Sequence, residues 1–320
     1  MQNQKTVLVT GVGAIIGYGI LHSLKASKYD LHIIGIDIYD DAVGQEWCDT
    51  FIQGIPANDP DFIPYINQLV AERQIDLIIP GIEPDIQAFM AAGEQLKAKW
   101  VHNQSKLMEL CTDKLDFYRY LENESDWDVI PTLQGCSFEQ NAEQLGLPFL
   151  IKPRKGSASK GIRKIHTKRE FDFYTESDPD AILCQKVIGD EQSEYTLAVF
   201  GTGDGSFKNS ILLRRVLSKD GSTSKAWVEN NAAIMEYAAK LCQVFRPIGP
   251  TNMQFRMEDG KPYILEINPR ISSACSIRTS FGYNEPEMCL SYFLLGELPE
   301  EVSLKSGRAV RYIKDQIHYD

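Results

Sequence analysis

The sequence lacks the features of a metal-ribbon, secreted, membrane-spanning or polynucleotide-binding protein. Its seven cysteines, Cys48, Cys111, Cys136, Cys184, Cys242, Cys275 and Cys289, are scattered over 320 residues without one CxxC pair. That spacing excludes a zinc ribbon and offers no disulfide framework, so the thiols are read as reduced and mostly buried. No apolar run reaches the length of a membrane span, and the chain enters a glycine turn almost at once with no leader pattern before it. A cytoplasmic protein without a membrane partner is expected. Positive charge is short as well, since 33 Lys and Arg face 44 Asp and Glu for a formal net charge of −11. Binding along a polynucleotide needs a basic stripe to displace counterions, so no nucleic-acid partner is expected. A basic pocket for a single nucleotide remains open. Internal repeats and low-complexity linkers are missing too.

The composition, 43% hydrophobic and 24% charged, is that of a globular chain with length for two or three subdomains. Residues 6–10 are a short β-rich run, followed by Gly11, Gly13 and Gly17, a helix-like stretch to about Lys25, and an apolar run over 31–36 ending at Asp37. This predicts strand, turn, helix, strand. Another helix carries Phe62, Ile66, Leu69 and Val70 on one face, and 75–79 reads as a buried strand before Pro80 and Gly81. Repeated αβ alternation implies a Rossmann-like parallel sheet with helices on its faces. After about Lys106 strands come in pairs, at 147–152 and 161–166, then 181–187, 194–200, 210–217, 251–257 and 263–268. Antiparallel pairing is the simplest reading. One helix interrupts them, with Ile234, Tyr237, Ala238, Leu241, Val244 and Phe245 at helical spacing within 230–246. The fold class is α/β at the N-terminal end, then α+β with an antiparallel sheet.

The stretch Ile264-Leu265-Glu266-Ile267-Asn268-Pro269-Arg270 carries the strongest chemical signal. A strand alternates its side chains, so Glu266 and Asn268 share a face, and Asn252, Gln254 and Arg256 share one on the preceding strand. Gln254 opposes Glu266 if the connecting loop has an odd number of residues, whereas a two-residue Asp259-Gly260 turn points them apart. Converged, one carboxylate and two amide oxygens form the half-site that Mg²⁺ takes when phosphates supply its other ligands. An exposed polar hairpin face is the alternative. Arg270 suits a substrate carboxylate or a developing phosphate charge.

Four cations, Lys152, Arg154, Lys155 and Lys160, fall within ten residues around Gly156 and Gly161. Ile162 and Arg163 follow instead of Lys and Ser or Thr, so this is no Walker loop, yet small residues let backbone N–H groups approach phosphate. A solvated basic hairpin tip is the alternative. The segment 181–194 reads as an apolar strand and an acidic loop ending at Glu194, a combination that suits a base and its ribose but also describes an ordinary strand. Gly11, Gly13 and Gly17 with Asp37 suggest a dinucleotide site, although the spacing is GxGxxxG and tight packing explains such turns equally.

Taken together and in this order, the clusters resemble the ATP-grasp superfamily, in particular its carbamoyl-phosphate-synthase-like and carboxylate–amine ligase members. The resemblance covers nearly the whole chain. It implies a pre-ATP-grasp domain at 1–105, a lid and linker at 106–188, and a C-terminal ATP-grasp core at 189–320. It further implies that Lys114 and Lys152 bind nucleotide phosphates, with Ser157, Ser159 and Gly161 in the loop that closes over them. Gln185, Lys186, Val187 and Leu265 would bracket the base, and Glu194 the ribose. Gln254, Glu266 and Asn268 would hold two Mg²⁺ ions, with Mn²⁺ as a substitute, and Arg270 would face the transferred phosphoryl group together with Lys152. In such proteins the glycine turn serves the fold or an acceptor substrate, not NAD.

The implied activity is an ATP-dependent, ADP-forming carboxylate–amine or carboxylate–thiol ligase working through an acylphosphate, with a small carboxylate and an amine as partners and a homodimer as the assembly considered. A carboxy-phosphate-forming kinase and a non-catalytic nucleotide-binding protein are the alternatives. For the substrate, Glu83 stands at a strand's C-terminal end where open α/β sheets place ligands, Ser273 and Arg278 offer a carboxylate clamp, and Arg214, Arg215 and Lys225 are candidates to face the same cleft. Helix caps and solvated surface charge are the competing readings. Cys275 has no histidine partner in the sequence and is taken as packing.

Overall fold

The computed structural model describes residues 4–124, 127–156, 161–176, 178–219 and 221–317. The N-terminal alternation resolves into strands β1 (Lys5–Thr10), β2 (Leu31–Asp37), β3 (Thr50–Gln53) and β4 (Leu77–Pro80), all parallel in the order β3-β2-β1-β4. Helix α1 (Ile15–Lys25) joins β1 to β2, α2 (Phe62–Arg73) joins β3 to β4, and α3 (Glu83–Ala92) follows β4. Val7, Leu8 and Val9 are 0% exposed because both sheet faces are covered. Leu8 packs with Phe62, Ile66 and Phe89 on one side, and Val7 and Val9 with Ile20, Leu21 and Leu24 on the other. The chain leaves β1 toward β2 and β3, then returns to set β4 on β1's other edge. The loops after β1 and β4 therefore open together at a topological switch point, where sheets of this kind bind ligands.

Two helices follow, α4 (Ser105–Leu110) and α5 (Lys114–Asn123). A small antiparallel sheet comes next, with β5 (Thr132–Leu133), β6 (Phe149–Pro153), β7 (Arg163–Ile165) and β8 (Ile182–Lys186) in the order β5-β8-β6-β7. Its helices α6 (Phe138–Leu145) and α7 (Lys168–Thr175) each begin in a capping box, Ser137 with Gln140 and Thr167 with Glu170. The larger sheet contains β9 (Glu194–Thr202), β10 (Phe207–Leu217), β11 (Thr223–Glu229), β12 (Ile248–Glu258), β13 (Lys261–Asn268) and β14 (Arg308–Val310), ordered β13-β12-β9-β10-β11-β14 and antiparallel throughout.

One face of the larger sheet packs on α8 (Ala232–Phe245) through Leu197, Val199, Met253 and Phe255. Leu107, Phe117, Tyr118 and Leu121 belong to the same core, so 105–123 supports the larger sheet instead of opening the lid as expected. The other face carries Ala198, Phe200, Ile211 and Leu213 into one core with β1, α1 and the short helices α9 (Cys275–Ser280) and α10 (Glu285–Cys289). That shared core fuses the parallel sheet to the larger one. Among the described residues no helix is long and apolar enough to cross a membrane.

Candidate functional site

The β12–β13 hairpin decides where Glu266 points. Asp259 and Gly260 both adopt positive φ, 50° and 78°, and Glu258 pairs directly with Lys261. The turn therefore has two residues, as a right-twisted hairpin favours, and the odd-length loop required by the sequence argument is not formed. The missing residue appears within the strand. Phe255 pairs with Ile264 and Gln254 with Glu266, leaving Leu265 as a β-bulge that restores the parity. Glu266 and Asn268 consequently share the cleft face with Gln254, and Asn268 Nδ2 donates to Glu266 Oε1 at 2.9 Å.

The bulge is pinned from below. Tyr118, fully buried on α5, donates its hydroxyl to Leu265 O at 2.6 Å and accepts from Lys152 Nζ at 3.1 Å. Lys152 reaches this point from β6, with its ammonium 4.7 Å from the Tyr118 ring centroid. Burial pulls its pKa down to about 8, against the opposing field of Glu266. Lys114, at the start of α5, donates to Gly156 O at 2.7 Å, and burial lowers its pKa as well, partly offset by Glu266. Asp113 caps α5 and binds Arg154 of the following loop at 2.7 Å, which ties the small sheet to the helix that carries Lys114 and Tyr118. Gly156 and Gly161 flank the loop with φ of 113° and 80°, and Ser157 and Ser159 lie outside the described residues.

These groups wall a cavity of about 400 Å³ between the two antiparallel sheets, with Lys114, Lys152, Gln185, Lys186, Glu194, Gln254, Leu265 and Glu266 in its lining. Gln185 is buried and donates to Thr132 Oγ1, and Lys186 faces Glu258 at 3.4 Å. Ile188 lines the cavity where Val187 was expected. Glu194 is not a free acid, because Arg215 binds its Oε1 at 2.8 Å and Arg256 its Oε2 at 3.0 Å. The same Arg215 donates to Gln254 Oε1 at 2.7 Å. A guanidinium on that oxygen opposes a second cation there. Asn268 Oδ1 likewise accepts from Arg270 Nη2, at the longer distance of 3.2 Å, so Glu266 is the strongest donor for Mg²⁺, with Asn268 second and Gln254 last. Among the described residues no group of three or more His, Cys, Asp and Glu gathers for a metal. One carboxylate and one amide oxygen fit Mg²⁺ that draws its remaining ligands from phosphates and water.

A second cavity of about 290 Å³ shares Lys114, Gly156, Leu265 and Glu266 with the first and extends to Glu83, Gln87, Thr112, Asn268 and Arg270. Arg270 Nε binds Glu83 Oε2 at 2.7 Å, so the start of α3 and the segment just after β13 meet there.

Three expected substrate residues do not reach either cavity. Arg214 stands on the opposite face of β10 from Arg215, paired with Glu229 at 3.1 Å and stacked on Trp227. Arg278 is 0% exposed and bound by Glu285, Ser272, Thr196 and Asn252, so the helix it occupies is buried, not solvated. Ser273 gives its carbonyl to Arg311 and lines neither cavity. Cys275 is buried beside Ser23, and burial raises its thiol pKa. At the glycine turn, Gly13 N–H donates to Asp37 Oδ2 at 2.8 Å, and a Cβ on Gly17 would strike the carbonyl of Gly11. The chain's own carboxylate thus takes the donor a dinucleotide would need, and close packing accounts for the glycine.

Sequence reasoning missed Tyr118 and Asp113, and it named Arg154, Arg215 and Arg256 without their carboxylate partners. Tyr118 was readable as the residue one helical turn beyond Lys114, on the same face. The buried arginines share strand faces with Glu194 and Gln254, but period-two patterning does not say which charges pair across strands.

Comparison with known proteins agrees with this geometry. Residues 183–316 match the family described as ATP-grasp in the biosynthetic pathway with Ter operon. A carbamoyl phosphate synthase large chain from Clostridium botulinum is 25% identical over 85% of this chain and 27% of its own length. A D-alanine–D-alanine ligase from Bacillus anthracis is 24% identical over 50% of this chain and 57% of its own. The chain therefore spans about a quarter of the synthase relative and somewhat over half of the ligase relative. The solved N5-carboxyaminoimidazole synthetase from Staphylococcus aureus complexed with ADP has the same fold, with a TM-score of 0.72 at 18% identity, covering 94% of this chain and 80% of that one. The comparisons therefore show an ATP-grasp match over residues 183–316 and the fold of the solved synthetase over nearly the whole chain.

Proposed function

We propose that this chain is an ATP- and Mg²⁺-dependent ligase that activates a small carboxylate as an acylphosphate and joins it to an amine, releasing ADP and phosphate. The observation that carries the reading is the meeting of two cavities at Glu266, one with the size and cationic lining for a nucleotide and the other large enough for a small substrate. A carboxylate is a poor electrophile. Its oxygen forms a bond to the γ-phosphorus as the bridging β–γ bond breaks and ADP leaves; the amine nitrogen then bonds to the acyl carbon, phosphate departs, and the amine loses a proton.

Lys152 and Lys114 hold the phosphates, and Arg270 faces the transferring group with Glu83 and Asn268 fixing its guanidinium. Glu266 and Asn268 would hold magnesium, which when bound offsets the charge on the phosphates. The small sheet, tethered through Arg154 and Asp113, excludes water so that the amine attacks before hydrolysis. The names of the relatives, a synthase and a ligase, support ligation over a purely regulatory role.

The test is ADP and phosphate release with ATP, Mg²⁺ and a panel of carboxylates that includes bicarbonate and amino acids, with hydroxylamine trapping the acylphosphate. A hydroxamate formed together with ADP supports the proposal. AMP with pyrophosphate, or no carboxylate-dependent turnover across the panel, overturns it. Stimulation by bicarbonate alone favours a carboxy-phosphate-forming kinase.

A further inference from the structure

The second cavity has a charge arrangement that bears on what it accepts. Away from the residues it shares with the nucleotide-sized cavity its wall includes Glu83, the first residue of α3, beside the switch point of the parallel sheet. Its Oε2 accepts from Arg270, yet 39% of its side-chain surface stays exposed. Arg270 is more fully engaged, because Nε binds Glu83, Nη1 binds Ile271 O at 3.1 Å and Nη2 binds Asn268 Oδ1 at 3.2 Å. Lys114, the other cation in the wall, is tied to Gly156 O on the side shared with the nucleotide-sized cavity. The charge with surface to spare away from the shared residues is therefore acidic, beside the polar side chains of Gln87 and Thr112.

We propose, resting on the ligase reading above, that this cavity is the acceptor subsite, that it takes a small primary amine in its ammonium form, which gives one proton to the Glu83 carboxylate before the freed nitrogen attacks, and that Glu83 determines that specificity. An ammonium placed against Glu83 gains the attraction of opposite charges as well as a hydrogen bond, whereas a hydroxyl in the same place gains the hydrogen bond alone and a second carboxylate is repelled. At about 290 Å³ the cavity suits an acceptor no larger than a free amino acid. The shared wall at Leu265 and Glu266 puts that acceptor next to the place where the acylphosphate forms.

The experiment uses the full chain with MgADP bound and titrates glycine, glycolate and methylammonium by calorimetry. Glycine and glycolate differ in the ammonium against the hydroxyl, so their ratio isolates the group that Glu83 reads. Glycine is expected to bind at least about tenfold tighter than glycolate, and methylammonium to bind as well. In Glu83→Gln the ratio falls toward one, in Glu83→Asp it partly returns, and in Gln87→Lys amine binding weakens with Glu83 intact. Equal binding of glycine and glycolate, a ratio that survives Glu83→Gln, or no binding of either amine overturns the proposal. Hydroxylamine trapping without an acceptor separates the two readings. A hydroxamate together with an unmoved glycine ratio removes the acceptor assignment alone; a lost ratio without any hydroxamate removes the ligase and leaves a cation-selective cavity.

Discussion

If Lys152 holds the nucleotide phosphates as proposed, nucleotide binding should depend on pH in a way that an ordinary lysine would not produce. Its ammonium is buried on β6 against Tyr118, and burial brings its pKa down to about 8 in the nucleotide-free chain. A phosphate needs the charged form. At about pH 7 roughly nine tenths of Lys152 carries the proton, and at about pH 9 roughly one tenth does. MgADP affinity should therefore fall about tenfold over that range, about 1.4 kcal/mol, with one proton taken up on binding at the alkaline end. Lys114 is shifted in the same direction, so its contribution steepens the fall. Lys152→Arg keeps its charge throughout and should flatten the profile, whereas Lys152→Met should bind weakly at every pH. The assay is calorimetric titration of MgADP in buffers of different ionisation enthalpy. An affinity that stays level from about pH 7 to about pH 9 in the native chain, or the same slope in Lys152→Met, refutes the reasoning. For stability the sign is opposite. Between about pH 8 and the usual lysine range the unfolded chain holds the proton that the folded one has released, so Lys152 makes the fold more stable as pH rises there.

Other residues give sharper single outcomes. Glu266→Ala should reduce carboxylate-dependent ADP release by roughly a hundredfold or more while the melting temperature stays near native; near-normal rates would remove the magnesium assignment. Glu194→Ala strands Arg215 and Arg256 without their buried partner and should destabilise the chain by about 3 kcal/mol in urea unfolding, so an unchanged midpoint would contradict the pairing. Tyr118→Phe removes the hydroxyl that holds both Leu265 and Lys152, with an expected loss of about 1 kcal/mol and weaker MgADP binding measured on the same preparation. Gly17→Ala forces a methyl against the Gly11 carbonyl and should lower the melting temperature without changing the nucleotide affinity of what remains folded.

What the sequence reveals and what it hides follow one division. Periodicity reports which face a side chain takes, and that was enough for the parallel sheet, the long helix α8 and the alternation of Glu266 with Asn268. It does not report which charges find each other across strands, so Glu194 reads as a free ribose acid until Arg215 and Arg256 are seen on it. It does not report depth either, and Arg278, an apparent substrate clamp ten residues past Asn268, is instead sealed with Glu285 in the core. The hairpin combines both limits. Asp259-Gly260 is a strong two-residue turn signal, and taken alone it sends Gln254 and Glu266 to opposite faces. Only the bulge at Leu265 reconciles that turn with a converged site, and the bulge is held by Tyr118 from a helix more than a hundred residues earlier. Local sequence preferences therefore set the turn correctly and the site incorrectly. The site is restored by a tertiary hydrogen bond, and the same tyrosine also holds Lys152, so strand register and the position of the proposed phosphate-binding lysine are coupled through one side chain.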